Sequence, residues 1–573
     1  MKAPERMEAG VVKKGTGRAR SGVAYLEFVR GEVLGRDLAF ETPFGLRNIF
    51  YADYTASGRC LGFIERRLLE IERSYANTHT EDDYSGKRLT SLLKKAERTI
   101  KDLVNAGPGG RIIAVGSGST GALQKLQEII GVYIPPLTRE RLGEPAVRGF
   151  GRPDPRKPVV FIGPYEHHTN ELMWREAFAE VVVVRLAAGG GLDLDDLDRR
   201  LAAPRFAGRV KFGSFSAGSN ITGVRTPVYE VARTCHRHGA RVFFDFAAVA
   251  PYAAIDMNKD TSSYFDAVFF SPHKFLGGPG SSGILVFRED LYRPDLPPTT
   301  AGGGTVIYVG FDGHDYAADI ETRETAGTPP ILQTIKAALA MEVRERIGRR
   351  TIEKLEKKNL ARFLNGLAAI DNVELVGRYE DADLTPIVSF NIRSRDRILH
   401  PKFVTRLLND LFGIQSRAGC SCAGPYGHVL LGIDETTSRR FRELVRRGFL
   451  GVKPGWVRVN VHYSFAESDV DFLVRAIAFA ARYGEAFLHE YAFDLATGEW
   501  RHLKFAEAAP ELDLDGREEA AAVDLARLRA IRAGYFREAR SLARSLEKAG
   551  EPSWVRDEPE IESLKNFRYA HRA

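Results

Sequence analysis

The chain has 573 residues, and its 82 basic and 75 acidic side chains leave a formal net charge of only +7, which does not support the concentrated basic face of a nucleic-acid binder. At 44% hydrophobic and 27% charged it has the composition of a globular protein of two or more domains, with no apolar run long enough to span a bilayer. Its four cysteines, Cys60, Cys235, Cys420 and Cys422, argue against a disulfide scaffold, and the basic start lacks the apolar run of a secretory peptide, so the expected location is a reducing cytoplasm.

Taken in chain order, residues 1–45 read as an irregular N-terminal arm. Two amphipathic helical patterns between about 62 and 105 flank the polar loop 77–81. Apolar strand patterns then alternate with helical ones: strands at 111–115, 159–162, 181–186, 210–216, 241–246, 267–270 and 283–287, and helices at 120–132, 171–179, 194–202 and 228–238. That alternation predicts an α/β domain with a mainly parallel sheet covered on both faces, spanning 46–335. The segment 135–158, rich in Pro, Arg and Gly, reads as an exposed insertion. A long helix, 331–347, leads into a smaller α+β domain, 336–495, with helices at 352–368, 402–412 and 470–483 and strands at 387–392 and 456–463. The last part, 496–573, opens with a polar loop and gives an amphipathic helix at 520–546, expected to pack on the body.

Ligands on such sheets gather at the carboxyl ends of the strands, so the residues just past each strand matter most. After 111–115 comes Gly116-Ser117-Gly118-Ser119-Thr120-Gly121, then a helix. It matches a dinucleotide turn, but the second strand and its acidic residue do not follow at the required distance; the turn equally suits a single phosphate on a helix N-terminus. After 159–162 comes Glu166-His167-His168, where a histidine can lie flat on an aromatic ligand or move protons; adjacent histidines point apart, so no metal site is expected. Asn220 follows the fourth strand and can donate to a ligand oxygen. Asp245 ends a very apolar strand, where a carboxylate calls for a positive partner. Lys274 stands in Ser271-Pro272-His273-Lys274, between Phe269-Phe270 and a glycine-rich turn, where desolvation favours the neutral amine that condenses with an aldehyde. Pyridoxal 5′-phosphate (PLP) needs all of these at once: a Schiff-base lysine, an acid for its ring nitrogen, a flat partner and an anion cradle.

In this order the motifs resemble the class V aminotransferase family, in particular its cysteine desulfurase and selenocysteine lyase branch. The resemblance runs over about 48–485 and includes Tyr51-Ala52-Asp53, Ala326-Gly327-Thr328-Pro329, Arg417-Ala418-Gly419-Cys420-Ser421-Cys422-Ala423 and Arg458-Val459-Asn460. It implies the aspartate-aminotransferase-like fold of PLP-dependent transferases and a homodimer with active sites at the subunit interface. It also implies roles. Lys274 holds the cofactor and moves the α-proton, Asp245 keeps the ring nitrogen protonated and His167 stacks on the ring. Ser119, Thr120, Ser271 and His273 bind the phosphate, helped by Thr328 from a neighbouring subunit, with Thr328 and the 302–305 run as the cross-subunit contacts. Asn220 and Arg458 hold the substrate carboxylate, and Cys422, five residues after Arg417, is the sulfur-accepting cysteine.

Two departures stand out. Ala248 occupies the place of a family glutamine, and an insertion at 426–455 follows the cysteine loop. The leading expectation is a carbon–sulfur lyase that converts L-cysteine or a related amino acid to alanine and an enzyme persulfide, with a sulfur-acceptor protein as partner. The departures leave open a β-eliminase, epimerase or kynureninase-like enzyme on another amino acid. A PLP-binding protein without turnover and a dehydrogenase are the remaining readings.

Overall fold

The computed structural model describes all residues except 1–20, 79, 81, 144–153, 378–381, 508–511, 513 and 515–520. The start of the expected arm, His79 and Glu81 of the polar loop and the centre of the 135–158 insertion lie outside the described residues.

Seven strands form the central sheet: β1 (Gly110–Val115), β2 (Val159–Ile162), β3 (Glu180–Val183), β4 (Lys211–Ser216), β5 (Arg241–Asp245), β6 (Ala267–Phe270) and β7 (Gly283–Arg288). Their order is β1-β7-β6-β5-β4-β2-β3. Neighbours from β3 through β6 run parallel, and β7 alone is reversed against both β1 and β6. Val159-Val160-Phe161-Ile162 and Ala267-Val268-Phe269-Phe270 are buried at every position, because helices cover both faces of the sheet.

Helix α1 (Gly22–Gly31) lies within the stretch read as irregular and buries Tyr25, Leu26 and Val29. The chain continues into a hairpin of Leu38–Thr42 with Gly45–Asn48. Next come α2 (Gly62–Glu72) and α3 (Tyr84–Leu103). Helices α4 (Gly118–Ile129), α5 (His168–Arg175), α6 (Leu194–Leu201) and α7 (Val228–Arg237) connect the strands, and α8 (Ile331–Ile347) leads out of the sheet domain.

The smaller unit is built from α9 (Arg349–Ala368), α10 (Pro401–Phe412) and an antiparallel sheet. That sheet contains β8 (Val373–Leu375), β9 (Ile387–Ser394), β10 (Arg417–Gly419) and β11 (Trp456–Asn460) in the order β8-β9-β11-β10. The insertion after the cysteine loop folds into α11 (Gly424–Leu430) and α12 (Glu435–Arg446), with Leu444 packed against Val452, Ile561 and Leu564. Helix α13 (Glu467–Tyr483) completes this unit.

The stretch read as a polar loop after 495 begins as a strand, while 508–511, 513 and 515–520 lie outside the described residues. Tyr491–Asp494 pairs with Glu499–His502 and, in parallel, with His571–Arg572 near the chain end, and Trp500 is buried. Helix α14 (Leu528–Lys548) packs on the body through Tyr535, Phe536, Ala539, Ala543 and Leu546, as its apolar spacing implies. No helix among the described residues is long and apolar enough to cross a membrane.

Candidate functional site

Asp245 is the last residue of β5, paired in register with Phe269 of β6, and Lys274 follows β6 after a single turn, Pro272–Lys274. Pro272 suits the first position of that turn because it has no N–H to leave unsatisfied. The turn closes through Lys274 N–H to Ser271 O, 3.1 Å, and Phe275 N–H to Pro272 O, 2.9 Å. The glycine-rich continuation is sterically required: a Cβ on Gly278 would lie 1.9 Å from Pro272 O. Sheet and turn thus place amine and carboxylate at one edge.

Both groups are perturbed by that burial. Desolvation lowers the Lys274 amine to about 8, with the nearby Asp245 opposing the shift. Asp245 is 5% exposed. Desolvation raises it to about 6, while the Ala247 N–H, 2.8 Å from its Oδ1, and Lys274 pull it down. Asp245, Lys274, His167 and Ala248 share a narrow recess of about 30 Å³, beside a cavity of about 540 Å³ that Lys274 and His167 also line. The free amine is the nucleophile toward aldehydes. In cofactor-free protein, reaction of Lys274 with an aldehyde probe is therefore expected to rise with pH and level off above about 8. A midpoint near the ordinary 10.5 would show a solvated lysine.

The start of α4 and the turn before Lys274 line the same cavity with hydroxyls and backbone N–H groups, the donors an anion needs. Ser119 and Thr120 lie in the first turn of α4. The Ser119 N–H donates to Ser271 Oγ at 2.8 Å, which is 3.2 Å from Ser119 Oγ; Thr120 Oγ1 is 2.8 Å from Thr169 Oγ1. Gly118 has φ +61, and a Cβ there would come within 2.8 Å of Ser271 Oγ, filling the cradle. His273 Nδ1 is 3.2 Å from Ser57 Oγ, and the buried Ser281 Oγ, on a residue lining the same cavity, has no hydrogen-bond partner among the described residues. The dinucleotide alternative fails on topology, because the strand beside β1 is the antiparallel β7 and β2 lies across the sheet.

His167 caps α5, its Nδ1 accepting from Thr169 N–H at 3.2 Å. Desolvation, then Lys274, lowers its pKa to about 4, so the ring is neutral near pH 7. Its neighbour Glu166, to which sequence reasoning gave no role, ties β2 to β4. It accepts from Gly163 N–H (3.0 Å), Ser216 N–H (2.9 Å) and Asn170 Nδ2 (2.6 Å), and burial raises it to about 7.

The smaller unit supplies the last wall. Arg417 on β10 and Arg458 on β11 are register partners and both line the cavity. Asp53 joins them: Arg458 Nη2 donates to Oδ1 at 3.0 Å and Arg417 Nε to Oδ2 at 2.8 Å. The sequence hint was Asp53's place in the Tyr51-Ala52-Asp53 motif, but nothing local named its partners. Asn220 spends its side-chain donor on Ser421 O, 2.6 Å, and its own carbonyl accepts from Arg458 Nη1, 3.1 Å. Cys422 faces the cavity that Lys274 lines, while Cys420, also exposed, is not among the lining residues. Thr328 is not brought to the cavity within one chain; its exposed hydroxyl accepts from Asn77 Nδ2 at 3.2 Å.

One reversed strand in a mainly parallel seven-stranded sheet, with a smaller α+β unit closing over its carboxyl edge, is the fold of PLP-dependent transferases. The chain belongs to the Aminotransferase class-V family, whose model matches residues 146–473. A probable cysteine desulfurase of Halalkalibacterium halodurans is 29% identical over 397 residues, 68% of this chain and 87% of that protein. A probable cysteine desulfurase 2 of Mycobacterium leprae is 30% identical over 271 residues, 47% of this chain and 60% of that one. Among solved structures, a cysteine desulfurase from Thermococcus onnurineus aligns over 80% of this chain and 98% of its own, with TM-score 0.61 and 23% identity. One from Escherichia coli aligns over 75% and 94%, with TM-score 0.57 and 22% identity.

Proposed function

We propose that this chain is a PLP-dependent cysteine desulfurase. Its substrate is L-cysteine or a close relative, its products are alanine and a persulfide on Cys422, and the sulfur passes to an acceptor thiol. The observation that carries the reading is the sharing of one cavity by Lys274, Cys422 and Arg458. A nucleophilic thiol thereby faces the desolvated amine and a fixed cation that fits an amino-acid carboxylate.

The residues fit the cofactor. The gap at Gly118, the orphaned hydroxyl of Ser281 and the α4 N-terminus suit a phosphate, and the buried Asp245 suits a cationic ring nitrogen. Bound PLP would supply an aldehyde for the amine and a ring that stabilises negative charge at the substrate Cα. Ser119, Thr120, Ser271 and His273 would bind its phosphate, Asp245 would hold the proton on the ring nitrogen, and the neutral His167 would lie against the ring. Lys274, free of its proton above about pH 8, moves the proton at the substrate Cα. Arg458 pairs with the substrate carboxylate, with Asn220 and Arg417 beside it. The Cys422 thiolate attacks the substrate sulfur as the carbon–sulfur bond breaks toward carbon, leaving sulfur on sulfur. We assign 46–335 to cofactor binding, 336–495 to substrate closure and 496–573 to a bracing extension. We place the enzyme in the cytoplasm as a homodimer, with Thr328 and 302–305 of one subunit completing the other's cradle.

Replacing Cys422 with serine is expected to lower alanine formation from L-cysteine by about 10²-fold or more under excess reductant. Turnover equal to wild type would remove the persulfide route. Pyruvate plus ammonia in place of alanine would instead mark β-elimination, the reading that Ala248 in the lysine recess favours.

A further inference from the structure

The two cysteines of the loop stand in different places relative to the cavity but in one tight turn. Cys422 lines the cavity and Cys420 lies outside its lining, and both side chains are exposed. Between them the backbone reverses: Ser421 has φ +51, Cys422 has φ +57, and Ala423 N–H closes the turn on Cys420 O at 3.2 Å. Two successive left-handed residues, neither of them glycine, cost about 1–2 kcal/mol each, so the surroundings must impose the shape. They do so at three points. Asn220 Nδ2 donates to Ser421 O at 2.6 Å, His168 N–H to Cys422 O at 2.7 Å and Gly424 N–H to His168 Nε2 at 2.9 Å. The turn is therefore fixed to the elements that carry Asn220 and His167.

Two consecutive Cα–Cα steps of about 3.8 Å, folded in a turn, leave the outer Cα atoms about 5–6 Å apart. That lies within the about 4.4–6.8 Å that a disulfide spans. Cys60 is partly buried and Cys235 fully buried, and Cys420 is the one other thiol in the loop of Cys422.

We propose that Cys420 is a resolving thiol: it attacks the Cys422 sulfur of the persulfide, closes a Cys420–Cys422 disulfide and expels hydrosulfide. The proposal builds on the desulfurase reading of the site. In this step the Cys420 thiolate forms the new S–S bond to Cys422 Sγ. The bond between Cys422 Sγ and the terminal sulfur breaks, and the electron pair leaves with that sulfur as hydrosulfide. Attack at the inner sulfur is favoured because hydrosulfide is a weaker base than a cysteine thiolate, and the weaker base leaves faster. A dithiol reductant then donates two electrons and two protons to reopen the bridge. A disulfide across a single residue is strained and thus easily reduced. The consequence is a second exit for the sulfur: where no acceptor thiol takes it from Cys422, the enzyme releases it as free sulfide, and it stops when no reductant is present.

The test uses the PLP-loaded enzyme, stripped of reductant, given less than one equivalent of L-cysteine, then quenched with an alkylating agent and digested. Wild type is expected to release nearly one sulfide per alanine and to give a loop peptide two hydrogens lighter than the dithiol, with neither cysteine alkylated. Cys420→Ser, an exposed and nearly isosteric change, is expected to keep one added sulfur atom on Cys422 and to release sulfide about tenfold more slowly relative to alanine, the neighbouring thiol's proximity being lost. Wild type that retains the added sulfur on Cys422 as long as the variant does would overturn the proposal, as would added sulfur on Cys420. If wild type forms no alanine, the desulfurase reading fails instead. A mild thiol oxidant on cofactor-free protein then still examines the pair: a loop peptide bridged between Cys420 and Cys422 supports it, and two separately alkylated thiols sink it.

Discussion

Replacing Lys274 with alanine is expected to reduce turnover by about 10²–10⁴-fold through lost proton transfer alone. It should also erase the absorption near about 420 nm that an imine of PLP with a lysine gives. Among the described residues lining the cavity and its recess, Lys274 is the one lysine, so no neighbouring amine replaces it. A second readout needs no cofactor. Burial holds the folded-state amine at about 8 against an ordinary 10.5, so between those values the unfolded chain binds more protons. Cofactor-free wild type should therefore gain stability as pH rises through that window, and Lys274→Ala should lose this rise. Added small amines are expected to restore part of the turnover. A variant that keeps the band, or keeps the pH-dependent gain, would place the functional amine elsewhere.

The large sheet was readable because its strands are buried on both faces, leaving runs such as 159–162 and 267–270 with no polar interruption. The same rule exposed Asp245 and Lys274: polar residues at the ends of such runs have to be explained by something they meet. What stayed hidden depends on contacts far apart in sequence. Residues 21–45 read as irregular because partners that order them come from the other end of the chain: Leu38 and Ala39 pair with Ala522 and Ala521, and the strand that closes their hairpin is held there too. Arg47 Nη2 pairs with Glu538 at 2.9 Å, and Asn48 N–H donates to Tyr535 Oη at 3.0 Å. The strand Glu499–His502 was missed because its pattern alternates exposed and buried positions over only four residues, two of them charged. The helices of the 426–455 insertion were hidden for a similar reason: α12 buries one residue, Leu444, so its apolar stripe is almost absent. At the site, Ser119, His167, Asn220 and Lys274 follow strand ends and line one cavity, so position along the chain pointed to them, whereas Asp53 and Glu166 act by joining elements that only the fold brings together. Thr328, expected at the phosphate, has its hydroxyl at Asn77 in place of the cavity.

Asp53 is where the largest loss of stability is expected. Arg458 is 4% exposed, and Asp53 is the one carboxylate bonded to it among the described residues. Among the described residues its Nε has no partner, and Nη1 bonds to the carbonyl of Asn220 alone. Burial already lowers the Arg458 pKa, with Asp53 the chief opposing influence. Asp53→Ala would leave a buried guanidinium uncompensated, a change that costs about 3–5 kcal/mol when one partner of a buried pair is removed. Arg417→Ala cuts the other arm of the same bridge, but that side chain is half exposed, so a loss of about 0–1 kcal/mol is expected. The asymmetry separates charge burial from mere packing: denaturant midpoints should fall far for Asp53→Ala, little for Arg417→Ala, and to an intermediate degree for Asp53→Asn, which keeps one acceptor. If Arg458 also holds the substrate carboxylate, KM for the amino acid should rise in Asp53→Asn more than kcat falls, because the guanidinium is released and not removed. Equal midpoints for the two alanine variants, or an unaltered KM in Asp53→Asn, would mean that the bridge neither compensates nor aims Arg458.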